Sequence, residues 1–337
     1  MIKFLLPCIF IIFSVNCQNV VKEKIIIDND AGGDDAMAIF LTLLYEKNFD
    51  GPHLAALTTV NGNTNEDNVC HNNQKVLKIA NRTEIPIYRG SKNSLSNTPV
   101  DMHYYGEDGL GDNDDIVTDL VPAANQSAIS ALIDYSKLYE GNLTVITIGT
   151  LTNVAIAMTL DPGFLGRLKH LYVGAGTIHS GKHQRPEFNA RVDAEAYRIV
   201  VQNANPDKVT MVPFSLIDEY LTFTKEWRFN TFGAIATEII ANQNRFERVS
   251  LKNDVAWQSL DPAVVTFYLR PDLVNEYKYS ENDIILCGDG RGITTNKFVS
   301  KEKANVRIIY SVKAEEYRQF LLDVFGYDSR KPVDYNK

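Results

Sequence analysis

Short apolar runs alternate along this chain with longer stretches whose apolar positions recur at helical spacing. The short runs cover 25–27, 55–60, 143–148, 168–173 and 209–213; the longer ones cover 36–45, 66–79, 127–139, 154–160 and 194–201. Near-continuous apolar runs suit strands buried on both faces, and helices between them supply the cover. The alternation predicts βαβ units: an α/β fold, a central mostly parallel β-sheet flanked by helices in the Rossmann-like manner. With no internal repeat, low-complexity tract or Pro/Gly/Ser linker, one domain over 18–337 accounts for the pattern.

Polar residues and glycines gather where the strand runs end. The first run leads into Asp28-Asn29-Asp30-Ala31-Gly32-Gly33-Asp34-Asp35, which puts four carboxylates within eight residues. Such crowding costs Coulomb energy unless bound protons or a cation offset it, and a hard oxygen-seeking ion such as Ca2+ or Mg2+ is the simplest solution. Asn61-Gly62-Asn63, Gly149-Thr150-Leu151-Thr152-Asn153 and Gly174-Ala175-Gly176 follow later runs. One glycine-rich turn says little, but repetition at the same end of several strands predicts a shared cleft there, where open α/β sheets place their ligands.

The whole chain narrows the function classes. It has 337 residues, 45% hydrophobic and 23% charged, with a net charge of −8. No Lys/Arg-rich run is present, which argues against nucleic-acid binding. At the N-terminus Lys3 precedes an apolar stretch over 4–15, followed by Cys17-Gln18. That stretch is too short for a membrane span and fits a cleaved signal peptide over 1–17, so the mature chain is expected to be secreted, with no membrane partner. Asn81, Asn125 and Asn142 each open an Asn-x-Ser/Thr sequon compatible with glycosylation. Cys70 and Cys287 remain beyond the leader, either paired or free.

Together the turns resemble those of the nucleoside hydrolase family, the inosine–uridine-preferring type and its purine-preferring relatives. The opening segment is similar to its Asp-x-Asp-Pro-Gly-x-Asp-Asp signature, with Ala31 in place of proline. Gly62-Asn63, Gly109-Leu110-Gly111, Gly149-x-Leu151-Thr152-Asn153 and Glu187-Phe188-Asn189 match in family order. So do Asp193-x-Glu195-Ala196, Asp261-Pro262 and Gly290-Arg291-Gly292. The resemblance implies Ca2+ held by Asp30, Asp35, Asp261 and the Ile148 carbonyl, with Asp30 also accepting a proton from the attacking water. It implies that Asp34, Asn63, Asn189 and Asp261 hold the ribose 2′ and 3′ hydroxyls and that Glu187 reaches toward the 5′ hydroxyl. The implied reaction is hydrolysis of an N-ribosidic bond to ribose and free base, by a homodimer or homotetramer.

Three departures bear on the substrate. Leu260 stands where many inosine–uridine-preferring members carry a proton-donating histidine, Tyr105 stands at a position that is often histidine, and Gly181 replaces an asparagine. Purine-preferring relatives also lack that histidine and use aromatic stacking near the base, which can raise the base's affinity for a proton, so loss of a positioned acid is expected to hurt uridine cleavage more. Purine nucleosides are therefore the expected substrates, with Tyr104, Tyr105 and Trp257 as aromatic candidates beside the base. Two rivals remain. A haloacid-dehalogenase-type phosphatase shares the strand-ending Asp-x-Asp, though Asp34-Asp35 fall at the wrong place for it. A secreted nucleoside-binding protein would keep the site without efficient turnover.

Overall fold

The computed structural model describes residues 22–96, 103–113 and 117–330. The expected signal peptide lies outside the described residues. Ten strands form one sheet: β1 (Lys24–Asn29), β2 (His53–Thr59), β3 (Ile87–Arg89), β4 (Ala124–Ser127) and β5 (Leu143–Thr147), then β6 (His170–Gly174), β7 (Val209–Val212), β8 (Val274–Ile284), β9 (Thr294–Phe298) and β10 (Val306–Val312). Their order is β9-β8-β10-β7-β6-β5-β1-β2-β3-β4. Every neighbouring pair from β10 to β4 is parallel; β8 runs antiparallel to both β10 and β9.

Among the described residues, α-helices of five or more residues cover the sheet. They are α1 (Gly33–Asn48), α2 (Glu66–Ile79), α3 (Ala128–Leu138), α4 (Thr152–Leu160), α5 (Phe188–Val192) and α6 (Ala194–Gln202). The remainder are α7 (Phe214–Tyr220), α8 (Glu238–Phe246), α9 (Arg248–Asn253), α10 (Asp261–Leu269) and α11 (Ala314–Phe325). Ile25 and Ile27 point into a core built with α1, α10 and α11, while Ile26 points into a second core with α3, α4 and α6. Side chains alternate across a strand, so a strand covered on both faces has no polar phase; this is why 25–27 reads as unbroken isoleucine. Full burial of each contributes about 1.5–3 kcal/mol.

The chain leaves β1 for β2 on one side and later returns to β5 on the other. That reversal opens a crevice at the carboxyl end of β1, the usual ligand position in such sheets. The predicted parallel strands are all present. The antiparallel end is a difference from the sequence pattern: β8 reads Val-Asn-Glu-Tyr-Lys-Tyr-Ser-Glu-Asn-Asp-Ile, with much of its length half-exposed. A strand with a solvated face lacks the apolar run by which the buried strands are found.

Cys70 is buried and Cys287 exposed, and both are free thiols. Among the sequons, Asn81 and Asn125 are exposed, whereas the Asn142 amide donates to the Lys22 carbonyl at 3.3 Å. Among the described residues no helix is long and apolar enough to cross a membrane.

Candidate active site

The turn from β1 into α1 is organised around Asp35. Its Oδ1 accepts from the Asp30 amide at 3.1 Å, and its Oδ2 from the Gly32 amide at 2.7 Å and Asn63 Nδ2 at 3.1 Å. Asp35 thus satisfies the helix start from its third position, and its negative charge suits that end of the helix. For this reason α1 begins at Gly33, three residues before the apolar pattern predicts. Ala31 sits in the left-handed region at φ 39°, with its carbonyl held by Asn72 Nδ2 at 3.1 Å. A proline, with φ fixed near −65°, cannot take that conformation, so the turn is built differently from the signature.

Asp28 separates from the other three aspartates. Its Oδ1 accepts from Thr58 Oγ1 at 2.6 Å and Asn153 Nδ2 at 2.8 Å, tying β1 to β2 and α4. Asn153 also donates to the Thr59 carbonyl at 2.8 Å and accepts from the Ser91 amide at 2.9 Å. Asp28 therefore braces the end of the strand. Burial pushes its carboxyl up to about 6, opposed by the two donors.

Among the described residues, Asp34, Asp35 and Asp261 bring ligand atoms within 4.8 Å of one another. Asp261 comes from the first residue of α10, followed by Pro262 at a position where a missing N–H costs the helix nothing. The grouping differs from the expected division of labour in one respect. Asp34, assigned to ribose, stands inside the triplet, and Asp30, assigned to the metal, flanks it. Asp30 Oδ2 accepts from the Asn63 amide at 2.8 Å, while its Oδ1 is buried without a hydrogen-bond partner. Asn189 Oδ1 is equally orphaned; its Nδ2 donates to the Ile148 carbonyl at 2.8 Å and the Gly174 carbonyl at 3.0 Å.

Electrostatics make this arrangement costly by itself. Burial pushes Asp30 up to about 7, aided by the charge of Asp34. Burial also raises Asp34 to about 6, opposed by a hydrogen bond from the Tyr105 hydroxyl and aided by Glu247. Asp35 and Asp261 are held well above the usual range by burial and then by their carboxylate neighbours. The donors are all hard oxygens, and two of the nearby oxygens are buried with nothing to bind. That set fits a divalent cation with six to eight oxygen ligands.

Above the carboxylates opens a cleft of 680 Å³, which Asp34, Asn63, Ile148, Glu187, Asn189 and Asp261 all line. Tyr104, Tyr105 and Leu260 line it too. The two tyrosine rings meet edge to face, 4.7 Å between centroids and 82° apart. Tyr104 is hydrogen-bonded through its hydroxyl to Asp254. Trp257 does not belong with them. It is 2% exposed, gives its indole N–H to Glu247 at 2.8 Å and packs on Phe223, Trp227 and Phe232. An amphipathic ring with a buried acceptor below it is a core residue here, which corrects its candidacy beside the base.

Glu187 lines the cleft but its oxygens are engaged. It caps α5, with Oε1 accepting from the Asn189 amide at 2.9 Å and Oε2 from the Gly176 and Ala190 amides at 2.8 and 3.0 Å. Burial nevertheless raises its carboxyl. Sequence reasoning missed Lys182, His183, Asp218 and Gln258, which also line the cleft. They come from three separate segments, with Lys182 and His183 on one loop, and form no motif, so nothing in the linear pattern marks them.

Comparison with known proteins agrees with this geometry. Residues 25–319 match the inosine-uridine preferring nucleoside hydrolase family. The chain belongs to that family. It is accordingly a hydrolase of nucleoside N-glycosyl bonds, and the Asp34/Asp35/Asp261 group is consistent with the family's metal site. An inosine-uridine preferring nucleoside hydrolase of Leishmania major is 32% identical over 302 residues, covering 87% of this chain and 93% of the relative. A probable uridine nucleosidase of Arabidopsis thaliana is 35% identical over 184 residues, 53% of this chain and 56% of the relative. Among solved structures, a plant nucleoside hydrolase superposes with a TM-score of 0.80 at 23% identity, covering 91% of this chain and 99% of that one. A purine-preferring ribonucleoside hydrolase from Gardnerella vaginalis gives 0.77 at 21% identity, covering 90% and 98%. These two likenesses bear on the fold.

Proposed function

We propose that this family member cleaves ribonucleosides to ribose and free base, with purine nucleosides preferred and Ca2+ as the ion. The observation that carries the reading is the triplet Asp34, Asp35 and Asp261, of which half-buried Asp34 and buried Asp261 line an open cleft while Asp35 lies buried against them, with Asp30 beside it. Asp30, Asp35, Asp261 and the Ile148 carbonyl would hold the ion, and Asp34 completes the group from the cleft side. When bound, the cation supplies a positive charge that acidifies water and grips sugar hydroxyls.

The chain's own residues do the rest. Asn63, Asn189, Asp34 and Asp261 orient the ribose 2′ and 3′ hydroxyls, which fixes the anomeric carbon against the attacking water. Asp30, whose Oδ1 has no protein partner, takes the water proton. Carboxylates around the sugar stabilise the positive charge that develops on its ring as the base departs. Glu187 bounds the 5′ end as a rigid wall set by three backbone donors, and Tyr105 lines the site with Asp34.

Leu260, 5% exposed on the cleft wall, leaves that position without a proton donor, which supports the purine preference. Base release from a nucleoside panel, with and without chelator, tests the reading. Inosine and guanosine should turn over well above uridine, chelation should stop all of them, and Asp30→Ala should abolish release. Comparable inosine and uridine rates would refute the preference; an active Asp30→Ala would refute the mechanism. The leader-like N-terminus and sequons favour a secreted glycoprotein, and sedimentation would test the expected dimer or tetramer.

A further inference from the structure

The cleft also holds an imidazole–carboxylate dyad that none of the family motifs contains. His183, on the loop between β6 and α5, lines the cleft with 13% of its side chain exposed. Its Nδ1 faces Asp218 Oδ2, from α7, at 3.6 Å. Asp218 is itself fixed: Oδ1 accepts from Gln258 Nε2 at 2.8 Å, and Oδ2 meets Lys182 Nζ at 3.1 Å. Gln258 stands two residues before Leu260, and both line the same cleft. The dyad is therefore tied to the very segment whose side chain at 260 has no proton to give.

The other protonated groups on this wall are committed elsewhere. The Tyr104 hydroxyl bonds to Asp254, and burial followed by the charge of Asp34 holds the Tyr105 hydroxyl well above its ordinary value. Lys182 is shared between Asp218 and Glu219, and Arg185 carries a guanidinium that does not deprotonate in proteins. Histidine is the side chain that exchanges protons readily between pH 5 and 8. With Nδ1 turned to the carboxylate, Nε2 is left as the ring nitrogen for a ligand. The charged groups facing it are Asp218 on α7 and Lys182 on its own loop, with Glu219 behind Lys182.

We propose that His183 is the acid that protonates the departing base in this chain, with Asp218 as its positioning residue. This rests on the nucleoside-cleavage reading above. In the step, the C1′–N9 bond breaks and its electron pair passes into the purine ring. The His183 imidazolium gives its Nε2 proton to purine N7, so the base leaves neutral. Water forms the new C1′–O bond and loses its proton to Asp30, and exchange with solvent restores both groups.

Turnover of inosine and of p-nitrophenyl β-ribofuranoside by His183→Gln and Asp218→Asn tests this, since nitrophenolate departs without needing a proton. Losing a positioned acid should lower kcat for inosine by about 10²- to 10⁴-fold in His183→Gln. The nitrophenyl riboside should stay within about threefold of the native rate. Asp218→Asn should show a smaller loss of the same selectivity, and it carries the test if the glutamine variant does not fold. Equal losses on both substrates, or unchanged inosine turnover, would overturn the assignment. A native protein that releases no base from inosine would instead overturn the activity on which it rests.

Discussion

Gly62 offers the sharpest test of how the turns serve the site. A Cβ at this position would lie 1.8 Å from Asp30 Oδ2 and 2.6 Å from its Cγ. Ordinary van der Waals contact begins near 3.4 Å, so in Gly62→Ala the carboxylate must retreat by about 1.5 Å. That retreat breaks its 2.8 Å bond from the Asn63 amide and carries off the group assigned to the water proton. Misplacement by about 1 Å is enough to cost about 10²-fold in rate, equivalent to about 2.7 kcal/mol of barrier. The assay is kcat/KM for base release from inosine beside the melting temperature. Gly166→Ala serves as the control, because a Cβ there meets nothing within 4 Å. Gly62→Ala activity within about threefold of the native value would refute the close-packing argument.

Two further outcomes concern charge. With the metal removed, Asp30 held to about 7 and Asp34 to about 6 bind protons more tightly folded than unfolded, where carboxyls ionise near 3.8. Their stabilising contribution is complete below that value and is lost as pH rises through 6 to 7, about 3 kcal/mol between pH 5 and 8 from Asp30 alone. Ca2+ should therefore raise the melting temperature of the chelated protein more at pH 8 than at pH 5, and an equal rise at both would sink this account. Arg228 and Glu247 form a fully buried ion pair, with Nη2 2.6 Å from Oε2 and Trp257 bonded to the remaining oxygen. Arg228→Ala should cost about 3–5 kcal/mol in urea unfolding, because it strands Glu247 in the interior; a loss below about 1 kcal/mol would contradict that burial argument.

Much of the site was legible because its parts sit at strand ends. Asp30, Asp34 and Asp35 follow a run of isoleucines, and the strand-turn-helix reading places them at one edge of the sheet. The extent of α2 from Glu66 to Ile79 matches the apolar pattern exactly as spaced. Roles were less legible than positions. Asp28 and Asp30 differ by two residues, yet one braces β2 and α4 while the other keeps a buried Oδ1 with no hydrogen-bond partner, a distinction set by Thr58 of β2 and Asn153 of α4. Trp257 looked like an aromatic wall for the base, but its fate depended on Glu247 lying beneath it.

Sequence alone determined the layered α/β architecture, since a strand buried on both faces must be apolar throughout and its helices must show a 3.6-residue stripe. It also determined that a cation-seeking carboxylate cluster ends β1. Only the tertiary structure decided which carboxylates share that cluster, bringing Asp261 within 4.8 Å of Asp34 and Asp35 across more than two hundred residues of chain. It likewise brought His183, Asp218 and Gln258 to one wall. Side-chain groupings of this kind are fixed by how helices dock on the sheet, a long-range packing outcome that local periodicity does not encode.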